Sequence, residues 1–300
     1  MASLAKDLVE AGIHFGHRST HWNPKMAPYI FGKRNKIHII DVKETIKGLL
    51  LARKFLTKTV ASGKDVLFVG TKRQARNCIE KHCQAVEMPY CTERWLGGTL
   101  TNFSTIRQRL KRLEELERIE ESGEINNYSK KMESTLRREK GKILRNLEGI
   151  RHMTKLPGAM VIVDPRTEMN AVREARKLGI TTVCLIDTDS DPALADIPIP
   201  GNDDAMRSID VIVQSLCAAV AEGKTARAQQ APKEDEAGEQ PRKRSRRAQF
   251  SADAPAPTAE DDPALDAPAP EAAAPAPAEA PAPAPAEPVA VPAEAEPAKS

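Results

Sequence analysis

Short apolar runs alternate with amphipathic stretches over most of the chain. Residues 65–69 (DVLFV), 159–163 (AMVIV) and 181–186 (TTVCLI) are continuous apolar runs, typical of strands that are buried on both faces. Helix-type periodicity separates such runs, as over residues 44–61, where it closes before Gly63. This alternation predicts an α/β fold, a parallel sheet flanked by helices in Rossmann-like or flavodoxin-like layering.

The remaining elements of that domain follow the same logic. A turn at residues 70–73 leads from the first buried strand into a helix, and apolar pairs mark two shorter strands. In chain order, we expect a strand at 37–40, a helix that follows this turn and runs to about Glu87, a helix over 168–178 and a strand at 197–200. A last helix, capped by Asn202 and Asp203, is expected to end near Gly223.

One stretch, residues 104–153, breaks the alternation. It contains no strand-like run, and its 13 Lys and Arg stand beside 9 Glu. Apolar residues spaced by three and four, Leu110 and Leu147 among them, form a narrow seam on each half, and 123–129 supplies a turn. We therefore predict an antiparallel coiled-coil helical hairpin that projects from the sheet domain. The alternative is a solvated, charged helix pair with no partner.

Composition divides the 300-residue chain into a basic body and an acidic tail. Residues 224–300 hold 15 of the 23 prolines, with 14 Asp and Glu against 9 Lys and Arg. The body then carries 36 basic and 28 acidic side chains, although the whole chain has a net charge of only +3. The Ala/Pro-rich tail has too little apolar content to fold and is expected to be disordered. The predicted organisation is an α/β domain at 1–103 and 154–223, a hairpin insertion at 104–153 and a tail at 224–300, with a cationic run at 241–247 that could touch RNA.

Several classes of protein are excluded by the same composition. No apolar run reaches about 18 residues, so no membrane span is expected, and the N-terminus lacks the apolar core of a signal peptide. The five cysteines include no CxxC pair, which argues against a disulfide framework and against a zinc ribbon. We expect a cytoplasmic protein whose basic body favours a polyanion as partner.

Motifs of nucleotide-dependent enzymes are missing where this fold would place them. The turn Gly70–Arg73 holds one glycine, whereas dinucleotide and P-loop fingerprints need more, and Gly97-Gly98 follows no strong strand. No GxSxG or other nucleophilic arrangement is present. We expect no catalytic residue, no cofactor and no small-molecule substrate. A nucleotide-dependent enzyme and a free-standing interaction module remain as alternatives, which ATP or NAD dialysis and ribosome sedimentation would distinguish.

Two sets of side chains could bind a metal. One consists of three histidines within residues 14–21, whose spacing would bring them together on a helix. Gly16 and Pro24 argue against a helix there. The other is an aspartate set that resembles the start of a calcium loop, but proline replaces the glycine and the glutamate that such a loop requires. Carboxylates at the carboxyl end of a strand could still hold magnesium, and Asx turns are the simpler expectation. No metal site is predicted from His14, His17 and His21, or from Asp187, Asp189 and Asp191.

Residues 14–38, called the arm below, are the strongest nucleic-acid feature. They contain five Lys and Arg, four His, four aromatic residues and no acid, in an extended, irregular pattern. Rings can stack on unpaired bases while cations follow phosphates; alternatively the rings pack into the domain and only the cations are exposed. Lys72 and Arg73 at a helix N-terminus add a phosphate-binding turn, unless this is an ordinary turn capped by Thr71. The candidate RNA-binding residues are Arg18, Lys25, Lys33, Arg34, Lys36, Lys72, Arg73, Arg94, Arg107, Lys111 and Arg112.

Five sequence blocks resemble the bacterial small-subunit ribosomal protein S2 family. They occur in the family's order, and the resemblance covers essentially all of residues 4–223. Thr181 departs from the pattern, because the family usually has proline there, at a loop-to-strand junction. The blocks are AGIHFGHRSTHWNPKMAPYIFGKRNKIHIID (11–41), VGTKRQA (69–75), ERWLGGTLTNF (93–103), LPGAMVIVDPRTEMNAVREARKLGI (156–180) and DIPIPGNDDAMRSI (196–209).

This resemblance implies a non-enzymatic, structural constituent of the small ribosomal subunit. It implies an α/β domain that carries a coiled-coil hairpin and contacts small-subunit ribosomal RNA and neighbouring ribosomal proteins. It also implies support of translation through recruitment of ribosomal protein S1, in the cytoplasm on the small subunit. The basic body and the aromatic-basic arm agree with backbone and shape readout of RNA.

Overall fold

A computed structural model describes residues 2–230 of the chain. The predicted tail from residue 231 onward, with its cationic run at 241–247, lies outside the described residues. None of the helices within 2–230 combines the length and the apolar content needed to cross a bilayer. In chain order the described elements are α1 (Ala2–Glu10), β1 (Phe15–Arg18), β2 (Ile30–Arg34), β3 (Ile37–Ile40), α2 (Val42–Ala61), β4 (Val66–Val69), α3 (Arg73–Ala85), β5 (Tyr90–Cys91), α4 (Phe103–Glu121), α5 (Lys130–Leu147), β6 (Ala159–Val163), α6 (Met169–Lys177), β7 (Thr181–Ile186), β8 (Ile197–Pro200) and α7 (Met206–Gln230).

Five parallel strands form the central sheet in the order β5-β4-β6-β7-β8. The predicted α/β fold with a parallel, helix-flanked sheet is therefore confirmed. Strand β5 was not predicted, because two residues carry no periodicity. Since β4 lies inside the sheet and β5 at its edge, the order is that of flavodoxin-like sheets, and its topological switch point falls between β4 and β6.

Side chains alternate between the two faces of this sheet, and each face has its own core. Phe68 and Val161 point to the face covered by α2, α3 and α7, whereas Leu67 and Ile162 point to the face covered by α6 and the base of α4 and α5. Both cores consist of buried apolar residues. Burial on both faces explains why the strands appear in the sequence as continuous apolar runs.

Helix α7 continues seven residues past its predicted end. A Cβ on Gly223 would lie 2.8 Å from both the Thr57 carbonyl oxygen and the Val60 Cβ, so this glycine allows close packing on α2 instead of ending the helix. The Lys224 ammonium lies 3.3 Å from a Glu87 carboxylate oxygen. Residues 224–230 therefore belong to the last helix, which the sequence pattern ended near Gly223.

The arm folds into a second, three-stranded antiparallel sheet in the order β1-β3-β2. Only β3 was predicted; the rest was expected to be irregular. Asn35 and Lys36 connect β2 to β3 with φ angles of 50° and 62°, the backbone that a two-residue hairpin turn requires. The single glycines and prolines that suggested irregular structure lie in β1, β2 and a 3₁₀ helix, Pro24–Tyr29.

Helices α4 and α5 are the two halves of the segment that breaks the alternation, and they lie between β5 and β6 in the chain. Their distal halves bury Leu113, Leu116 and Leu136, and Arg112 Nε lies 3.6 Å from Glu139 Oε1 across the pair. Leu110 and Leu147 near the base instead belong to the core on the α6 face of the sheet. The base of the pair is thus built into the α/β domain.

Candidate nucleic-acid interface

Four cations gather at one end of the arm sheet, which we call the arm tip: Arg18, Lys33, Arg34 and Lys36. Lys33 and Arg34 end β2, Lys36 lies in the β2–β3 turn, and Arg18 lies opposite Ile37 in the strand register. The Ser19 amide donates to the Lys36 carbonyl at 2.9 Å and fixes β1 beside the turn. All four side chains are exposed. Of the five candidate cations of the arm, Lys25 alone has a carboxylate partner within the described residues, Asp191 at 2.6 Å.

The aromatic residues of the arm divide between solvent and core. Phe31 on β2 is 79% exposed, whereas Tyr29 packs against the core on the α6 face. The Trp22 ring is 38% exposed and its centroid lies 5.1 Å from that of the buried His38. Burial lowers the pKa of His38, and Lys33 in the paired strand lowers it further. Phe31 is thus a ring free to stack on a base, while Tyr29 belongs to the fold.

The arm is fixed to the carboxyl edge of the central sheet. Thr188, just after β7, accepts the His17 amide on its hydroxyl at 2.9 Å and the Asn23 amide on its carbonyl at 2.8 Å. A Cβ on Gly16 would lie 2.6 Å from the Thr188 methyl carbon, so glycine is needed for this approach. Because the anchor is made largely by backbone groups, no residue type in the sequence signalled it.

Three buried carboxylates line that same edge, and we call the group with its partners the acidic edge: Asp164, Asp187 and Asp203, with His17 and Lys72. The Lys72 ammonium lies 2.8 Å from Asp203, 2.7 Å from Asp204 and 3.8 Å from Asp164. Burial alone would lower the pKa of Lys72, but its contacts with Asp203 and Asp204 raise it above the usual range. The charge of this candidate RNA-binding residue is therefore engaged inside the protein.

His17 and Asp203 both titrate far from their ordinary values. The Asp187 carboxylate, whose Oδ2 lies 2.9 Å from His17 Nδ1, raises the pKa of His17 to about 9, against the opposing effect of burial. Burial raises the pKa of Asp203 to about 7, and the carboxylates of Asp164 and Asp187 add to this while Lys72 opposes it. The acidic edge is therefore held together by a protonated imidazole and an ammonium.

The topological switch point of the sheet, where flavodoxin-like folds bind phosphate ligands, is filled by the chain's own groups. Both the amide and the hydroxyl of Thr71 donate to one Glu168 oxygen, the amide at 3.0 Å. Burial raises the pKa of Glu168. Thr71 does not cap α3 as the alternative reading expected; Lys72 is the N-cap, without a side-chain bond. Arg73 at the first helical position is exposed.

The glycine-rich loop at residues 95–101 binds Glu174 of α6. Its carboxylate accepts from Trp95 Nε1 at 3.0 Å and from the amides of Gly98, Leu100 and Thr101 at 2.8–3.1 Å. Although burial opposes it, these donors lower the pKa of Glu174 below its usual value. The amides that could have cradled a phosphate are thus already occupied by a carboxylate.

His17, Asp187 and Asp203 also form a possible metal-ligand group, since one donor atom from each lies within 4.8 Å of the others. Within residues 2–230, neither His14 nor His21 joins such a group. Asp189 instead contacts Arg166 at 2.6 Å, and Asp191 accepts the Ala193 amide at 2.9 Å in the expected Asx turn. Short-range spacing could not predict this set, because its members are far apart in the chain. The sequence feature that could have indicated it is the position of Asp187 and Asp203 just after two strands, β7 and β8.

The candidates on and near α4 differ in how far they are engaged. Arg107 donates to the Met153 carbonyl at 2.9 Å, and Arg112 contacts Glu115 at 3.1 Å as well as Glu139. Lys111 and Arg94 are exposed. Strand pairing therefore brings the four cations of the arm tip together at one end of a sheet.

Comparison with known proteins gives a consistent result over the described domain. The family model described as Ribosomal protein S2 matches residues 8–223. The small ribosomal subunit protein uS2 of Rhodopirellula baltica is 60% identical over 221 residues, which cover 74% of this chain and 85% of the relative. The proteins of the same description from Syntrophobacter fumaroxidans and Acidothermus cellulolyticus are each 51% identical, over 73% and 74% of this chain and 80% and 82% of theirs.

Proposed function

This chain belongs to the ribosomal protein S2 family, and we propose that it binds small-subunit ribosomal RNA through the tip of its arm. Members of that family are structural proteins of the small ribosomal subunit and not enzymes. The observation that carries the proposal is the gathering of Arg18, Lys33, Arg34 and Lys36 at one end of a small sheet, exposed and without an ion-pair partner among residues 2–230.

Phosphate neutralisation is the main source of affinity in this proposal. Each Lys or Arg that contacts a phosphate releases condensed counterions, so affinity falls as salt rises. The two-residue turn holds Lys33, Arg34 and Lys36 close together, and the anchor on Thr188 fixes their direction relative to the α/β domain. Phe31, on the same sheet, adds a ring on which an unpaired base can stack. Recognition is therefore by backbone and shape.

The other candidate residues differ in how much we expect them to contribute to RNA binding. Arg73, Arg94 and Lys111 are exposed and extend the basic surface. Lys25 and Arg112 share their charge with carboxylates, and Arg107 with a carbonyl, so each contributes less to RNA contact. Lys72 stabilises the acidic edge and is assigned a positioning role.

Salt titration of RNA binding tests the arm tip. In the full-length chain we expect the triple variant Lys33→Gln, Arg34→Gln, Lys36→Gln to flatten the slope of log affinity against log salt by about two to three units, with an unchanged melting temperature. The matched control carries Lys43→Gln, Lys54→Gln and Lys58→Gln, three exposed lysines of α2. An unchanged slope in the arm variant, or an equal change in the control, contradicts the proposal.

We also propose that α4 and α5 form a coiled-coil hairpin inserted in the α/β domain, which contacts RNA and neighbouring ribosomal proteins. Its support is the buried seam of Leu113, Leu116 and Leu136, with ion pairs across it. Leu113→Asp puts a charge into the distal seam and should unfold the pair while the sheet remains, because only the base is shared with the core. Reduced incorporation into small subunits with preserved strand signals would support this; normal incorporation would contradict it.

Recruitment of ribosomal protein S1 completes the proposed function and rests on the family resemblance. Small subunits reconstituted without this chain should bind less S1 in a pelleting assay than subunits that contain it. Adding the full-length chain back should restore S1 binding. Equal S1 binding by both kinds of subunit would remove recruitment from the proposal without affecting RNA binding by the arm tip.

A further inference from the structure

Helix α3 and helix α7 bring together a thiol, an imidazole and a carboxylate away from the arm and the acidic edge. Cys78 and His82 are four residues apart on α3, so they lie on one face of the helix, one turn apart. Helix α7 packs against that face and supplies Asp210. One donor atom from each of the three side chains lies within 4.8 Å of the others, and His82 Nε2 is 2.8 Å from Asp210 Oδ1.

We propose that Cys78, His82 and Asp210 bind a zinc ion. Sulfur, imidazole nitrogen and carboxylate oxygen are the three donor types that zinc takes in proteins, at bond lengths of roughly 2.0–2.3 Å. Tetrahedral bonds of that length place donor atoms under about 4 Å apart, so small side-chain rotations close the set around an ion. A thiolate and an imidazole disfavour magnesium and calcium, which take oxygen ligands.

Cys78 and Asp210 help to line a surface cavity of about 270 Å³, which has room for a fourth ligand beside them. One thiolate and one carboxylate balance the two positive charges of the ion. Lys81 and Arg207 line the same cavity, so a water, a hydroxide or a small anion suits the open position. The ion would then link α3 to α7, which otherwise contact each other through apolar side chains and the His82–Asp210 pair.

Cobalt spectroscopy tests this site in the purified full-length chain, kept reduced by a non-thiol reductant. Cobalt(II) replaces zinc and gives a thiolate-to-metal charge-transfer band only where a cysteine is a ligand. His17, Asp187 and Asp203 contain no sulfur, so ions bound at the acidic edge stay silent in this measurement. We expect the band in the wild-type chain at one cobalt per chain, and its loss when one equivalent of zinc is added.

Matched variants assign the ligands. Cys78→Ser should abolish the band, and His82→Asn should weaken cobalt binding by more than the roughly 10- to 100-fold that is typical of second-shell changes. Cys184→Ala is the control, because Cys184 is buried in the core on the other face of the sheet. Circular dichroism checks that each variant folds; if Cys78→Ser does not fold, His82→Asn decides. Absence of a band in the wild type, or its persistence without the Cys78 thiol or the His82 imidazole, overturns the proposal.

Discussion

Cations in the arm tip and cations in the acidic edge differ in what surrounds them, although both come from basic stretches of the sequence. Lys72 faces three carboxylates and His17 faces two, whereas Lys33, Arg34 and Lys36 extend into solvent. Burial makes the first group a structural necessity, since removing one charge leaves the others unpaired. Exposure leaves the second group available to an external polyanion. Position in the fold, and not residue type, therefore decides which basic residue is available to a partner outside the protein.

The largest effect is expected at Lys72. Lys72→Met leaves Asp203 and Asp164 buried without a cation, which typically costs about 3–5 kcal/mol, and thermal melts at pH 8 should show it. At pH 6 the loss should be smaller, because Asp203, with a pKa of about 7, is then protonated. Arg73→Met, one residue further and exposed, is the control and should change stability by less than about 0.5 kcal/mol. If Lys72→Met keeps the wild-type melting temperature and flattens the salt dependence of RNA affinity, Lys72 belongs to the RNA-binding surface instead.

A pH effect is expected next, at His17. Its pKa is raised in the fold to about 9 from 6.5, so the stabilisation is complete below pH 6.5 and is lost as pH rises through 9. The loss should be on the order of 2 kcal/mol, somewhat below the full value of the shift because the ring is partly exposed. Denaturant unfolding of the wild type between pH 6.5 and 9.5 measures it. In His17→Gln the free energy of unfolding should depend much less on pH. If the variant and the wild type show the same pH dependence, another group is responsible for it.

Two aromatic residues of the arm separate stability from affinity. Tyr29→Ala should lower the free energy of unfolding by about 1–2 kcal/mol, because the ring packs on the core. Phe31→Ala should leave the melting temperature unchanged and weaken RNA binding by about 1–2 kcal/mol at every salt concentration, with the same salt slope. Melts and binding isotherms on both variants check this. If Phe31→Ala keeps full affinity, the exposed ring has no base to stack on.

The smallest effect is expected at Lys25, the intermediate case between the two regions. Its ammonium contacts Asp191, but its side chain is 61% exposed. Lys25→Gln should therefore cost less than about 1 kcal/mol of stability and flatten the salt slope less than Lys33→Gln does. Side-by-side titrations of the two single variants give the comparison. A larger slope change at Lys25 would show that RNA displaces Asp191 from this lysine.

Periodicity was enough to predict the central sheet, because buried parallel strands such as Ala159–Val163 appear as uninterrupted apolar runs. It was not enough for β5, whose two residues are defined by pairing with β4, or for β1 and β2, whose polar side chains face solvent. The end of α7 was misplaced because a buried glycine that permits helix packing resembles a helix stop in the sequence.

The site was predictable only as a set of residue types. The basic, acid-free composition identified the arm, and the hairpin turn then placed Lys33, Arg34 and Lys36 together. The engagement of Lys72 was not predictable, since Asp203 lies 131 residues away in the chain. The same holds for Glu174, which fills the glycine-rich loop from a helix more than 70 residues further on. Contacts of this range depend on strand order, which local sequence does not reveal.

The occupation of the loop at residues 95–101 by Glu174 has a further consequence. A carboxylate tethered to the same fold competes at an effective concentration on the order of millimolar or higher, and five hydrogen-bond donors hold it. A free nucleotide or phosphate would have to displace Glu174 before it reached the amides of Gly98, Leu100 and Thr101. We therefore expect the conformation of this loop to be independent of the concentration of nucleotides and other small anions. Because α4 begins directly after the loop, the start of that helix should also keep one geometry in their presence.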